Sequence, residues 1–390
     1  MARRGRQKIF HANRRFHRAR GSRAWPFAVC AGALAAVALL VYLMAAFVVP
    51  FFGRLFGGEK TQVLMPTATP EQAEDLTAYI REVLLITNKY PHVSAPVILG
   101  DEIFLAAGMD NARNPKLDEI YMVQADKASS SSMEPLEGIL AQGDILSLDV
   151  NADYIVYFDG QKTGGGLLMA YSRTEKRAWQ LKQVQSGWPT VALCGGTKVV
   201  FTERTDAQTE QLYMLDILTG ENTTLAVYEN SPMGLYTPGV CDTAVSYVVA
   251  DPNKADSTQY NLIRIQPVDG GEARVIDPGM YAYNPVTNGS SVAWSDGMGS
   301  ASASLYVSVE GGMSKKLADN VSGYGMADNF VAWSEQGRIY MYNLKTGKKG
   351  RVSRPAEYAL LASVSHHAVA WFDITAEKRE QDILKFAILD

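Results

Sequence analysis

The sequence is poor in the residues that usually advertise chemistry. Three cysteines in 390 residues are too few for a disulfide-built scaffold, and none sits in a CxxC pair or a Cys/His cluster of zinc-binding spacing. The five histidines, His11, His17, His92, His366 and His367, form no ligand spacing, so neither a metal nor a cofactor is expected. There is no GxSxG elbow and no GxxxxGK[ST] loop, which removes the α/β-hydrolase nucleophile and the P-loop phosphate cradle. Acid is missing from one end altogether. Residues 1–53 hold nine of the 37 Lys and Arg and none of the 41 Asp and Glu, leaving 28 basic against 41 acidic residues in 54–390. At 47% apolar residues the chain can bury a large core, and disorder of the whole is excluded.

Charge of either sign is also missing between Arg23 and Arg54. A helix rises about 1.5 Å per residue, so roughly 20 residues cross a bilayer core, and 24–53 is long enough to do so with some tilt. The expectation is a transmembrane helix over 24–53, with Trp25 at one interface and Phe51, Phe52 and Phe56 at the other. The basic tail, 1–23, holds the N-terminus in the cytoplasm and places everything after Arg54 outside. Signal-peptide h-regions run to about 15 residues, so an uncleaved anchor fits this stretch better, despite the small Ala45 and Ala46 near its end. Charge of this kind suits anionic lipid headgroups, and no nucleic-acid partner is expected.

Residues 54–82 read as a linker containing Gly57, Gly58 and Pro66. Thr69-Pro70-Glu71-Gln72 is a capping-box pattern, and Ala73, Leu76, Ile80 and Val83 follow at helical spacing, predicting a short helix over 70–82. Val83-Leu84-Leu85-Ile86-Thr87 is β-prone and predicts a strand over 83–87.

From about residue 91 the chain repeats itself. A turn dipeptide opens a β-rich run that closes on an acid, giving the markers Asp159, Glu203, Asp251, Asp296, Glu335 and Asp373, with a looser first copy over 101–110. Successive markers are 38–49 residues apart. A further strand signal follows each acid, as in Leu212-Tyr213-Met214 and Ile339-Tyr340-Met341, and most copies then meet a glycine turn such as Lys345-Thr346-Gly347. Four short strands in about 40–50 residues is the arithmetic of a propeller blade, whereas a helical repeat needs long runs of helix formers that are not present. The expected fold is all-β: a seven-bladed β-propeller (six or eight being the margin of the count) over 83–390, preceded by one transmembrane helix.

The units from Phe330 to Glu335 and from Arg338 to Gly347, with their parallel copies, resemble the TolB-like family of β-propeller repeats found in bacterial envelope proteins. The resemblance implies a fold and an envelope setting. It departs from the commonest form at the first turn of a blade, where Gly195-Gly196, Asn288-Gly289 or Asp328-Asn329 stands in place of Ser-Pro-Asp-Gly. His366 and His367 fill the same slot and read as a solvated turn.

The last copy ends after its third strand, so Val83 to Thr87 is expected to supply the fourth and close the ring. Strand polarity then puts the inter-blade connections on the face pointing away from the membrane. Those connections carry Tyr90, Trp188, Tyr236, Tyr283, Tyr324 and Tyr358, and the six marker acids share their rim. Such a surface suits an envelope protein or a cell-wall polysaccharide. Rings packed between blades and acids bonded to turn N–H groups are the plainer reading. Trp294, Trp333 and Trp371 recur at one position and read as inter-blade core. Cys194 and Cys241 also match in position, but neighbouring inner strands are usually too far apart for a disulfide. The functional expectation is a membrane-anchored, extracytoplasmic binding or scaffold module without catalytic residues, the alternative being a glycan lyase or glycosidase with its site in the channel.

Overall fold

The computed structural model describes residues 74–75, 81–86, 92–108, 116–127, 133–187, 189–206, 208–229, 237–253, 260–297, 303–365, 367–375 and 383–388. The expected tail (1–23), transmembrane helix (24–53) and most of the linker lie outside them. Apart from one 3₁₀ turn at Ala125–Lys127, the regular elements of the described residues are strands in seven sheets. The protein is an all-β, seven-bladed propeller. Blades one to six occupy 97–135, 144–184, 192–229, 239–276, 283–318 and 321–351, each four antiparallel strands in sequence order from the innermost outwards.

Blade seven is assembled from both ends of the described chain. Its three inner strands are Ala359–Ser365, Ala368–Asp373 and Ile383–Ile388, and its outermost strand is Arg81–Ile86, paired antiparallel with Ile383–Ile388 from Arg81↔Ile388 to Ile86↔Ile383. The helix expected over 70–82 is not formed where the chain is described. Glu74–Asp75 instead pairs in parallel with Gly350 and Arg351 as a fifth strand of blade six, and Arg81 and Glu82 already belong to the closing strand. An outermost strand offers an unpaired row of backbone donors and acceptors, and these ladders override a local preference worth a fraction of a kcal/mol per residue.

The second strand of each blade reads as a continuous apolar run because both of its faces are covered. In Val292–Ser295 every residue is buried, yet the faces go to different neighbours. Val292 and Trp294 pack with Val248 and Ile265 of blade four, while Ala293 packs with Val331 and Trp333 of blade six. The pattern repeats one blade on, where Trp333 joins the blade-five cluster and Ala332 meets Val369 and Trp371 of blade seven. Each tryptophan is therefore a plug pressed back against the preceding blade. Trp294 and Trp333 also stack on their cross-strand partners Tyr306 and Tyr340 at 6.0 Å.

Polar stitches tie the inner strands together. Asp149 of blade two accepts from Leu193 N–H of blade three (2.7 Å), and the Ser147 hydroxyl accepts from Val191 N–H (3.0 Å). Asn151 donates to Gly196 O (2.7 Å) and Asn288 to Asp328 O (2.8 Å), each reaching the first turn of the next blade. Cys194 and Cys241 are free thiols, with the buried Cys194 Sγ directed at the Cys241 carbonyl, 2.8 Å away. Burial pushes the Cys194 thiol well above its usual pKa, and the neighbouring Cys241 adds to this.

Two outcomes are expected. A chain starting at His92 exposes the edge of Ile383–Ile388, and its thermal midpoint falls by more than about 5 °C with concentration-dependent association, read by calorimetry and light scattering. An unchanged midpoint would show that the closing strand contributes little. Trp371→Ala lowers unfolding free energy by about 3–5 kcal/mol in urea titrations, because a fully buried plug leaves a cavity at the joint of blades six and seven.

Candidate functional site

Strands alternate in direction within a blade, so the second and fourth strands end on the same face. That face carries the connections between blades and collects the marker acids. The structure gives each acid a local task. Asp159 accepts from Gln142 N–H (2.8 Å) and Gly143 N–H (2.7 Å), pinning the connection that enters its blade. Glu203 does the same with Gln185 N–H (3.3 Å) and pairs with Lys182 across the joint of blades two and three (3.1 Å). Asp251 accepts from Asn253 N–H, and Asp296 accepts from Ser304 N–H and the Tyr306 hydroxyl, each closing the loop after its own strand. Glu335 takes the Trp333 indole N–H (3.1 Å) and the Lys349 ammonium (3.5 Å). Among the described residues, the equivalent indole N–H groups of Trp294 and Trp371 are buried without a partner. Their blades carry Asp296 and Asp373, one methylene shorter than Glu335.

Asp373 lies in the tightest cluster. Lys385 stands where blades five and six have tyrosine opposite the tryptophan (Trp371↔Lys385 against Trp333↔Tyr340), and its ammonium pairs with Asp373 (3.0 Å) and with Glu357. Burial raises the pKa of Asp373, but the Thr375 hydroxyl and N–H and the Lys385 ammonium outweigh it and hold the carboxyl below its ordinary range. For Lys385, burial is likewise outweighed by the two carboxylates, and its pKa is raised.

Of the aromatic positions, Tyr90, Trp188 and Tyr236 lie outside the described residues. Tyr324 is a structural group. Its hydroxyl accepts from Ser295 N–H and lies 2.8 Å from the carbonyl oxygens of Tyr283 and Asn284, at the β-bulge between Tyr283 and Val286. Burial pushes its phenol far above the usual value. Tyr283 packs against Tyr281, centroids 4.8 Å apart, and Tyr358 is 55% exposed, the most open of the three predicted rings that are described. His367, in the first turn of blade seven, is half-buried, and His366 lies outside the described residues. Among the described residues no three His, Cys, Asp or Glu side chains come together to hold a metal ion.

Two concavities differ in kind. On the opposite face, the mouth of the channel encloses about 130 Å³ among inner-strand ends such as Asp149, Asn151, Asp242 and Asn288. On the connection face, a groove of about 780 Å³ runs along the rim of blade two, lined by side chains including Gln142, Lys162, Gln180 and Gln183. Sequence reasoning missed this groove. The available signal was the run Gly164-Gly165-Gly166, three consecutive glycines that all adopt positive φ.

No family model matches the chain, and no curated protein matches it. Solved structures do. An oligogalacturonate lyase in complex with manganese is 15% identical, with 80% of this chain and 91% of that chain covered and a TM-score of 0.51. The β-propeller domain of the Trilobed protease from Pyrococcus furiosus is 10% identical (77% and 93% covered, TM-score 0.56). An acylaminoacyl peptidase in complex with Z-Gly-Gly-Phe-chloromethyl ketone is also 10% identical (77% and 51% covered, TM-score 0.55). At these identities the likeness is one of fold, the β-propeller.

The Asp373 cluster sets a pH dependence. A carboxyl with a lowered folded pKa contributes stability that is complete above its ordinary value, near about 3.9, and is lost as pH falls through the lowered one. The raised Lys385 loses its contribution only as pH climbs past about 10.4. Urea midpoints are therefore flat around neutrality and fall below about pH 4, and Asp373→Asn lowers the neutral plateau and flattens that acid limb. An identical acid limb in the variant would remove Asp373 as a source.

Proposed function

We propose that this protein is a TolB-like, membrane-anchored propeller that binds an envelope component on its connection face without transforming it. The observation that carries the reading is the engagement of all six rim acids. Each spends at least one oxygen on an N–H, hydroxyl or ammonium group of the propeller itself. A glycosidase needs a carboxyl pair about 5–9.5 Å apart and free to exchange protons with substrate, whereas carboxylates tied into loops hold those loops still. Binding groups on loops fixed by a rigid scaffold are a common arrangement.

The direction of the closing strand supports the orientation. Arg81–Ile86 runs antiparallel to Ile383–Ile388, so the chain enters blade seven from the face opposite the connections. A tether arriving there presents the connection face outwards. The basic tail and uncharged stretch ahead of it supply anchor and topology.

In native cells, external protease is expected to degrade the propeller while a tag on the N-terminus survives until permeabilisation. A photoreactive residue at Tyr358 is expected to capture an envelope protein or glycan, with no new reducing ends when the chain is incubated with envelope glycans. A propeller shielded from protease refutes the orientation, and released sugar ends refute the non-catalytic role.

A further inference from the structure

The rim groove of blade two is built by close backbone approach. Its upper wall is the loop between the second and third strands, Tyr154–Gly160 and Gly166–Ser172. Gly165 donates to Gly187 O and accepts from Gln161 N–H, both 2.9 Å, which lays the loop against the end of the outermost strand, Arg177–Val184. A Cβ on Gly165 would stand 2.7 Å from Gln185 O and 2.8 Å from Val184 O, and one on Gly166 would run into the Asp159 carbonyl. Only glycine lets the loop fold down so far, and the fold brings Lys162 to the same groove as Gln180 and Gln183 of that strand. The floor is the incoming connection, Gln142 to Asp144, pinned by Asp159.

Part of the polar lining of this space is chemically unspent. Among the described residues, Lys162 and the carboxamides of Gln142, Gln180 and Gln183 have no hydrogen-bond or ion-pair partner. The acids beneath them are committed, Asp159 through both oxygens and Asp144 through one, which accepts from Leu117 N–H. Lys116 is paired with Asp118, so Lys162 is the cation left to a ligand. Among the described residues, Leu167 is the one apolar side chain in the lining.

We infer that this groove binds an anionic polysaccharide, a chain of hydroxyl-rich sugars bearing carboxylates. The inference rests on the reading of the connection face as a binding surface and names its ligand class. Each glutamine offers one acceptor and two donors, a set that matches vicinal hydroxyls, which both give and take protons. Lys162 supplies the counter-charge for a carboxylate. A peptide would find no pocket for its apolar side chains, the usual source of affinity at protein interfaces. A volume of about 780 Å³ lies within the usual range of ligand sites, roughly 300–1,000 Å³, and the channel mouth at about 130 Å³ does not.

The test uses the full chain in detergent micelles on immobilised alginate, with dextran as the neutral glycan and poly-glutamate as the carboxylated chain without sugars. Retention on alginate alone is expected. Lys162→Gln and the double variant Gln180→Ala/Gln183→Ala should each weaken it about tenfold or more. Lys345→Gln, an exposed lysine in a turn on the opposite face, removes the same charge and should leave it unchanged. The altered positions are exposed, and unaltered thermal midpoints establish that the variants fold. Failure to retain alginate, equal retention of poly-glutamate, or indifference to the groove variants overturns the inference. If alginate is not held while rim crosslinks persist, the groove falls and the binding role stands. If alginate is held, shortened, and released by the groove variants, the groove stands and the non-catalytic role falls.

Discussion

Six backbone pairs between Arg81–Ile86 and Ile383–Ile388 complete the last blade, and the packing of the ring depends on that blade being whole. The joint between the last and first blades is one continuous cluster, in which Ala368, Ala370, Leu384 and Phe386 meet Ile103, Leu105 and Tyr121. Leu384 and Phe386 come from the strand that the closing segment covers. Without that segment they would belong to an edge strand, free to pair with another chain and able to move away from blade one. In the other joints the covering strand is next in sequence. Here it is drawn from about 300 residues away, the strand pairing of longest loop-closure cost among the described residues.

The same geometry explains which polar groups are spent. Wedge-shaped sheets leave backbone N–H and C=O groups unpaired wherever a connection turns from one blade into the next. Buried groups of this kind need partners. Acids at the ends of second strands accept from the N–H groups, as Asp159 does for two successive ones and Glu203 for one. Tyr324 plays the matching part for the Tyr283 and Asn284 carbonyls at the bulge of blade five. Such a rim looks reactive in sequence because it is rich in acids and phenols, yet much of that chemistry is consumed in holding the loops.

The blade rhythm was legible because its causes are local. Markers such as Glu203 and Glu335 fall at the ends of Lys198–Arg204 and Phe330–Glu335, and the recurrent tryptophans occupy one buried position, since strand and turn preferences act within a few residues. What stayed hidden depends on contacts between distant segments. The capping-box pattern at Thr69 to Gln72 argued for a helix, and nothing local announces that Glu74 and Asp75 meet Gly350 and Arg351. Bulges such as that between Ile145 and Ser147 leave no period in the pattern. The exchange of tyrosine for Lys385 opposite Trp371 reads as an imperfect repeat until Glu357 and Asp373 are seen around its ammonium.

Where recognition can reside follows from this allocation. The mouth of the channel is lined by all the blades, but its asparagines are engaged in stitching blade to blade and the space between them is small. Groups that close the ring cannot be recruited by a ligand without loosening it. The outer rim is under no such constraint, because an outermost strand needs its inner ladder and one packed face, while its remaining side chains contribute little to closure. In blade two that freedom coincides with the glycine run that lowers a loop onto the strand end. Two backbone segments that would otherwise diverge become the walls of a groove, and among the side chains standing in it Lys162 and the carboxamides of Gln142, Gln180 and Gln183 are ones the propeller does not use.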